Sequence, residues 1–432
     1  MSLFSFVLIS LFALVGAHVP KAFSLLYIAV LLTWFISRRF VHEPLRPLPI
    51  NGRRLLHTAQ VLVLLFSCTY PVTMFYLGFW QLSGRQLLDG VSAFVLPNAL
   101  LWWGSYLAQR NLRLLLSCFF GYGVGGLSFL LAALFKTHGF LWLLPHANSA
   151  SLLMAWGSEV SMNVRSIEQN AILNIALAPA AFALIVSRRY LLGGIIMIIS
   201  FVSYLAIRPL ANGHLWIVSL AIACCPLACY FVVYPLLLPE YKSLKCKIKI
   251  ILPRVLSVAA ILGLSHFYLQ RNLCDMRFAM YVNALKRWPD LFYGRRSLSF
   301  LTPTCQGHSV LFSANSAHHP FVVMLHNVPL DVIFTVGIWP ALPLLVFMTI
   351  ALCCYARFFF VKFIPAMFRT RSPLFQLQLF WCYLAVIVPQ WLFQPLIYGD
   401  GLLYYLSYAA FGALLVLVSN EKVSTCKACS IN

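Results

Sequence analysis

Residues that could do chemistry gather in one stretch, which runs AHHPFVVMLHNVPLDVIFTVGIWP from Ala317 to Pro340. Its second half is apolar with a single acid, Asp331, and several polar side chains precede that half: His318, His319, His326 and Asn327. Ionisable groups at the mouth of a membrane helix are costly to bury, so they usually face a cavity and serve a function. Imidazole titrates near neutrality and is the commonest general base. We therefore expect the functional centre here, with His326 as the candidate base.

A set of arginines forms a second candidate group. Arg208 ends an apolar run, and four more lie in the segment 268–327: Arg271, Arg277, Arg295 and Arg296. A single arginine at a helix end usually only reaches toward the membrane interface. A guanidinium fork also matches phosphate oxygens bidentately. Because several arginines share one stretch, we expect them to bind an anionic phosphate group.

The sequence gives little indication of a metal site. It has no HExxH pattern and no tight cysteine–histidine group of the kind that binds zinc. Cys426 and Cys429 form one isolated CxxC, which is a weak signal. We expect neither a metal nor a cofactor.

Composition places the chain in a membrane. Hydrophobic residues make up 62% of the 432 residues, charged residues only 9%, and the mean hydropathy is +0.87. About twelve runs approach the roughly 20 apolar residues that cross the hydrocarbon layer: 3–18, 22–37, 55–78, 91–108, 114–135, 171–186, 190–207, 214–238, 250–267, 328–354, 374–396 and 401–418. The sequence predicts an all-α polytopic membrane protein, with 1–432 as a single transmembrane domain.

The net charge of +21 raises the question of nucleic-acid binding. With both termini cytoplasmic, however, 20 of the 31 basic residues fall on the cytoplasmic side of the predicted helices. Basic residues in short loops favour that side. The surplus charge is then explained by topology, and nucleic acid is not expected as a partner.

Two long segments, 136–170 and 268–327, fall on the external side in this topology. Long loops in compact proteins are usually functional. Within the second, residues 277–292 place apolar side chains at helical spacing on one face and basic ones off it. That pattern is typical of a helix in the membrane interface, in contact with lipids.

Three motifs resemble one known family. The stretch HNVPLDVIFTVG, from His326 to Gly337, resembles the HNxxLxxxxxxG signature of the O-antigen ligase and polymerase superfamily. The segment that begins at Arg277 resembles an external helix of that family, and Arg208 resembles the arginine that ends a helix before the large external loop. The match covers roughly 200–350, whereas the first half matches in hydropathy and topology only.

This resemblance implies an enzyme that moves a polysaccharide from undecaprenyl pyrophosphate to the lipid A–core oligosaccharide, at the periplasmic face of the bacterial inner membrane. His326 would be the general base, and several arginines would bind the donor pyrophosphate: Arg208, Arg277, Arg295 and Arg296. Supporting roles would fall to Asn327, His319 and Asp400. The reaction would be inverting and metal-independent, with part of the active site in the periplasmic loop 268–327.

Other functions stay open. An O-antigen polymerase would use the same donor with another undecaprenyl-linked glycan as acceptor, and a protein O-oligosaccharyltransferase is a further possibility. A flippase or transporter of lipid-linked glycans would also have many helices. Transporters tend to carry related halves and charges near the bilayer midplane, whereas the ionisable groups of this chain collect on the predicted external side. These features favour an enzyme over a transporter, and the polymerase is the alternative that is harder to exclude.

Overall fold

A computed structural model describes residues 47–78, 80–82, 84–138, 164–207, 215–233, 304–305, 308–309, 327–370, 374–393 and 401–420. These residues are helical apart from two short antiparallel strands, β1 (Thr304–Cys305) and β2 (His308–Ser309). The prediction of a helical membrane protein is confirmed. The count of twelve spans and the external loop 268–327 stay predictions, since the runs 3–18, 22–37 and 250–267 and most of that loop lie outside the described residues.

Seven helices come before the long gap in the described chain: α1 (Ile50–Tyr76), α2 (Gly84–Arg110), α3 (Leu112–His138), α4 (Val164–Ile175), α5 (Ala178–Val186), α6 (Tyr190–Ile207) and α7 (Leu215–Ala228). A π-helical turn, Cys229–Val233, continues α7. Five follow the gap: α8 (Val328–Val336), α9 (Ile338–Arg357), α10 (Ile364–Thr370), α11 (Phe375–Phe393) and α12 (Gly401–Ser419). A second π-helical turn, Phe358–Phe363, joins α9 to α10.

Four helical stretches are long and apolar enough, by length and composition, to cross a membrane: Ile50–Tyr76, Asp89–Arg110, Ile338–Phe368 and Phe375–Phe393. Several shorter apolar helices accompany them, in α3 to α7 and α12. Large apolar side chains such as Leu191 and Phe201 stand exposed on α6, as expected of a surface that faces lipid. The chain is therefore a membrane-embedded helical protein.

The interior is centred on α11 and α12. Every residue of α11 from Gln378 to Trp391 is buried. Glycines bring α12 close to α2: a Cβ added to Gly104 would lie 1.9 Å from the carbonyl oxygen of Ala409, and one on Gly412 would lie 2.2 Å from that of Leu101. Small residues let membrane helices approach backbone to backbone, and this close packing makes α12 part of the core.

The apolar run predicted over 328–354 is divided into two helices. α8 ends at Val336 and α9 begins at Ile338, with Gly337 between them at φ 88° and ψ 165°. That conformation is open to glycine and strained for residues with a Cβ. The predicted continuous run is therefore interrupted at Gly337.

Candidate functional site

Of the predicted site residues, the structure describes Asn327 alone. The other predicted positions lie outside the described residues: Arg208, Arg277, Arg295, Arg296, His319, His326 and Asp400. Their roles stay predictions. The described part of the candidate site consists of residues that directly follow the candidate base His326, and of their contacts.

Asn327 is the N-cap of α8. Its backbone is extended, and its side-chain Oδ1 accepts a hydrogen bond from the Leu330 backbone N–H at 3.0 Å. Asparagine is among the best N-cap residues because its short side chain satisfies an N–H that the helix leaves unpaired. Pro329 fits within the first turn because it brings no N–H. The sequence thus starts the helix directly after His326–Asn327.

The same side chain also joins α8 to α11. Its Nδ2 donates to the carbonyl oxygen of Leu392 at 2.9 Å. Leu392 is the penultimate residue of α11, and the last four carbonyls of a helix have no partner within it. One amide therefore satisfies the beginning of α8 and the end of α11 together.

Asp331, a residue of α8, adds a further hydrogen bond to Asn327. Its side chain is fully buried, and its Oδ2 accepts from the Asn327 backbone N–H at 3.3 Å. That N–H belongs to the peptide bond that joins His326 to Asn327. Asp331 therefore holds the backbone next to the candidate base. Sequence reasoning noticed this acid without giving it a role, although an acid in the first turn of a helix complements the positive end of the helix dipole.

The end of α11 that receives Asn327 is itself firmly held. The indole Nε1 of Trp391 donates to Ser407 Oγ at 2.8 Å, and the hydroxyls of Tyr404 and Tyr408 lie 2.8 Å apart. The rings of Trp391 and Tyr404 stack with centroids 5.3 Å apart. Such buried polar and aromatic contacts restrict helix rotation. α11 and α12 thus form a rigid support for the start of α8.

Gln390 is a residue that sequence reasoning missed. It lies two residues before Leu392 and is fully buried, yet neither Oε1 nor Nε2 has a hydrogen-bond partner in the described part of the chain. The signal for it was a lone amide in the apolar run LAVIVPQWLF, because polar residues inside membrane helices are often functional.

Metal binding is not supported by the described residues, among which no group of three or more histidine, cysteine, aspartate or glutamate side chains could hold an ion. The three histidines of the candidate stretch, His318, His319 and His326, lie outside those residues. The expectation of a metal-free site stays a prediction.

These contacts define a helical membrane protein in which a capped short helix begins directly after a histidine and is fastened to a buried helix end. In comparisons with known proteins, no family model and no curated protein matches the chain. The resemblance to O-antigen ligases and polymerases therefore rests on the sequence motifs.

Proposed function

We propose that this protein is an O-antigen ligase, which transfers a polysaccharide from undecaprenyl pyrophosphate to the lipid A–core oligosaccharide. The observation that carries the proposal is that the signature HNxxLxxxxxxG coincides with one structural unit. Asn327 caps α8, Leu330 supplies the capped N–H, and Gly337 ends the helix. The asparagine and glycine positions of the signature thus each have a physical reason in this chain.

The proposed topology has about twelve helices, both termini in the cytoplasm and the segment 268–327 in the periplasm. It is supported by what we call the basic end of the bundle, formed by Arg53, Arg54, Lys362 and Asn420. Lys362 Nζ donates to the Asn420 carbonyl, and Gly52 lies against Ser419. Basic residues favour the cytoplasmic side.

The candidate site lies away from the basic end. Phe359, in the π-helical turn that carries Lys362, packs on Trp381 with ring centroids 4.7 Å apart. Leu392, which receives Asn327, comes eleven residues after Trp381 along α11, or about 16 Å at the rise of a helix. A cytoplasmic basic end therefore favours a periplasmic position for His326.

The proposed reaction is a direct displacement at the anomeric carbon of the donor sugar. The His326 imidazole takes the proton from an acceptor hydroxyl, whose oxygen forms the new glycosidic bond. The bond to pyrophosphate breaks with its electron pair, and undecaprenyl pyrophosphate leaves from the opposite face with inversion. Arg208 and Arg277 neutralise the charge on the leaving group, with Arg295 and Arg296 nearby. A placed phosphate clamp lowers such a barrier electrostatically.

The residues around Asn327 would serve this reaction by holding the chain beside the base. A misplacement of about 1 Å can cost on the order of 10²-fold in rate. Asp331 and the Asn327–Leu392 bond fix the backbone one residue after His326. His319 and Asp400 are proposed to assist, as polar groups at the same mouth.

The experiment that tests this function is a lipopolysaccharide gel from a strain that lacks the gene. A ligase predicts loss of the whole O-antigen ladder with accumulation of lipid-linked polymer. A band with a single repeat unit would instead indicate a polymerase. An unchanged ladder would contradict both.

A second experiment separates the enzyme from a transporter. Purified protein is mixed with lipid-linked glycan and lipid A–core in detergent, where no membrane barrier exists. An enzyme yields the joined product under these conditions. A flippase yields none, and that result would overturn the proposal.

A further inference from the structure

The turn between α5 and α6 contains a strained arginine. Arg188 has φ 62°, and among the described residues it is the only one other than glycine with a positive φ. Its N–H donates to the carbonyl oxygen of Ile185 at 3.0 Å, and the Arg189 N–H donates to that of Leu184 at 2.9 Å. These two bonds form a Schellman motif, in which glycine usually takes the left-handed position because it has no Cβ. An arginine at this position is therefore unfavourable for folding.

The fold does not account for the choice of arginine. The hairpin is tight, because a Cβ on Gly193 in α6 would lie 2.9 Å from the carbonyl oxygen of Ala181 in α5. The chain thus reverses direction within residues 187–189. The side chains of Arg188 and Arg189 are exposed, and neither makes a hydrogen bond or an ion pair with another described residue. Strained residues of this kind often mark a functional position.

An exposed apolar stripe on α6 begins directly after the two arginines. Leu191 is 81% exposed, Ile195 47% and Ile198 63%, and their spacing places them on one face of the helix. Phe201, three residues further on, is 58% exposed. From Leu191 to Phe201 the helix rises about 15 Å, and the whole hydrocarbon layer is roughly 30 Å thick. The stripe thus has the length of one lipid leaflet.

The turn joins two membrane helices at one of their ends. The rings of Tyr204 in α6 and Trp216 in α7 lie 5.4 Å apart, and those of Phe182 in α5 and Phe231 after α7 lie 5.8 Å apart. α7 therefore runs back along α6, toward the end that carries the turn. The 18 residues of α6 rise about 27 Å, nearly the thickness of the hydrocarbon layer. The turn thus lies near the depth of the lipid headgroups.

The arginine pair and the apolar stripe match the two parts of a phospholipid. A guanidinium fork pairs with two phosphate oxygens, and basic residues beside membrane helices attract anionic lipids. We propose that Arg188 and Arg189 bind the phosphate of an anionic phospholipid whose acyl chain lies along Leu191, Ile195 and Ile198. This lipid site does not depend on the proposed glycan transfer.

The test mixes the full-length protein in detergent with phosphatidylglycerol or with zwitterionic phosphatidylcholine. Bound lipid is measured by native mass spectrometry, and unfolding is followed by temperature. Without lipid, Arg188→Gly should unfold at a higher temperature than the wild-type protein, because glycine relieves the strain at φ 62°. Its affinity for phosphatidylglycerol should be about fivefold lower, the value of one basic residue beside an anionic lipid. Phosphatidylcholine should bind both proteins alike.

Two further variants locate the site. Arg189→Gln should also bind phosphatidylglycerol about fivefold more weakly, with an unchanged unfolding temperature because it relieves no strain. Arg54→Gln removes the same charge from an exposed position on α1 and should bind this lipid like the wild-type protein.

Three outcomes would overturn the assignment. An equal loss of affinity in Arg54→Gln would show that the lipid responds to charge in general. Unchanged affinity in Arg188→Gly and Arg189→Gln would show that these arginines bind no lipid. A lower unfolding temperature of lipid-free Arg188→Gly would show that the arginine serves the fold.

Discussion

The Nδ2 group of Asn327 donates to the backbone carbonyl of Leu392 at 2.9 Å, so the residue after the candidate base is tied to the end of a buried helix. The Asn327 Oδ1 meanwhile caps α8 through Leu330. The two ends of one amide thus perform two tasks, and the bond to Leu392 can be removed while a capping oxygen is kept.

Replacement of Asn327 should separate these tasks. Asn327→Ala removes both bonds, and loss of an N-cap alone costs about 1 kcal/mol. Asn327→Asp keeps a capping oxygen and loses the donor to Leu392, so we expect the unfolding temperature to fall less than in Asn327→Ala, while transfer falls in both. Asn98, whose Nδ2 donates to Phe94 within its own helix, is a matched control. An Asn98→Ala protein that lost as much transfer as Asn327→Ala would contradict the assignment.

Asp331 should control the motion of the chain at the His326–Asn327 peptide. Asp331→Ala removes the acceptor for the Asn327 N–H, so we expect faster amide exchange there and a lower kcat with little change in KM. Asp331→Asn keeps an acceptor oxygen of the same size and should retain much more activity. The measurement is hydrogen–deuterium exchange followed by mass spectrometry, together with steady-state kinetics. Equal exchange in the Ala variant and the wild-type protein would rule this role out.

Substitution of Gly337 should destabilise the protein because of the backbone conformation at this position. At φ 88° a Cβ is strained, which costs on the order of 1–3 kcal/mol. Gly337→Ala should therefore lower the unfolding temperature. The matched control is Gly194→Ala in α6, where an added Cβ would meet nothing within 4 Å and alanine favours the helix by about 1 kcal/mol. The account would be contradicted if Gly337→Ala were as stable as Gly194→Ala.

Part of this site could be predicted from the sequence, because local residue preferences mark where helices begin and break. Asn327 followed by Pro329 is a pattern typical of a helix start, and Gly337 within an apolar run marks a possible break. The structure then supplied the length of α8 and its separation from α9. Hydropathy alone treats the run 328–354 as continuous because it does not register backbone conformation.

Contacts between helices could not be predicted from the sequence in the same way. Gln378 and Gln390 are both fully buried glutamines in one apolar helix, yet only the first has a hydrogen-bonded partner across a helix interface in the described residues. The Asn327–Leu392 bond joins residues 65 positions apart. Such pairings depend on how helices pack, which a single sequence does not specify.

His326 is proposed to remove the proton from the acceptor hydroxyl. A placed general base contributes roughly 10²–10⁴-fold in rate. Donor binding should depend instead on the arginines, because a guanidinium pairs with pyrophosphate oxygens. His326→Ala should therefore bind the lipid-linked glycan like the wild-type protein, whereas Arg208→Ala should bind it weakly.

The most direct measurement is single-turnover transfer by purified His326→Ala protein. The protein is first loaded with lipid-linked glycan, and this complex is kept in excess over the acceptor. Wild-type protein is measured in the same way. We predict a loss of at least about 100-fold in the rate of product formation, the lower limit for a general base. Transfer by His326→Ala at more than about a tenth of the wild-type rate would contradict the role of His326.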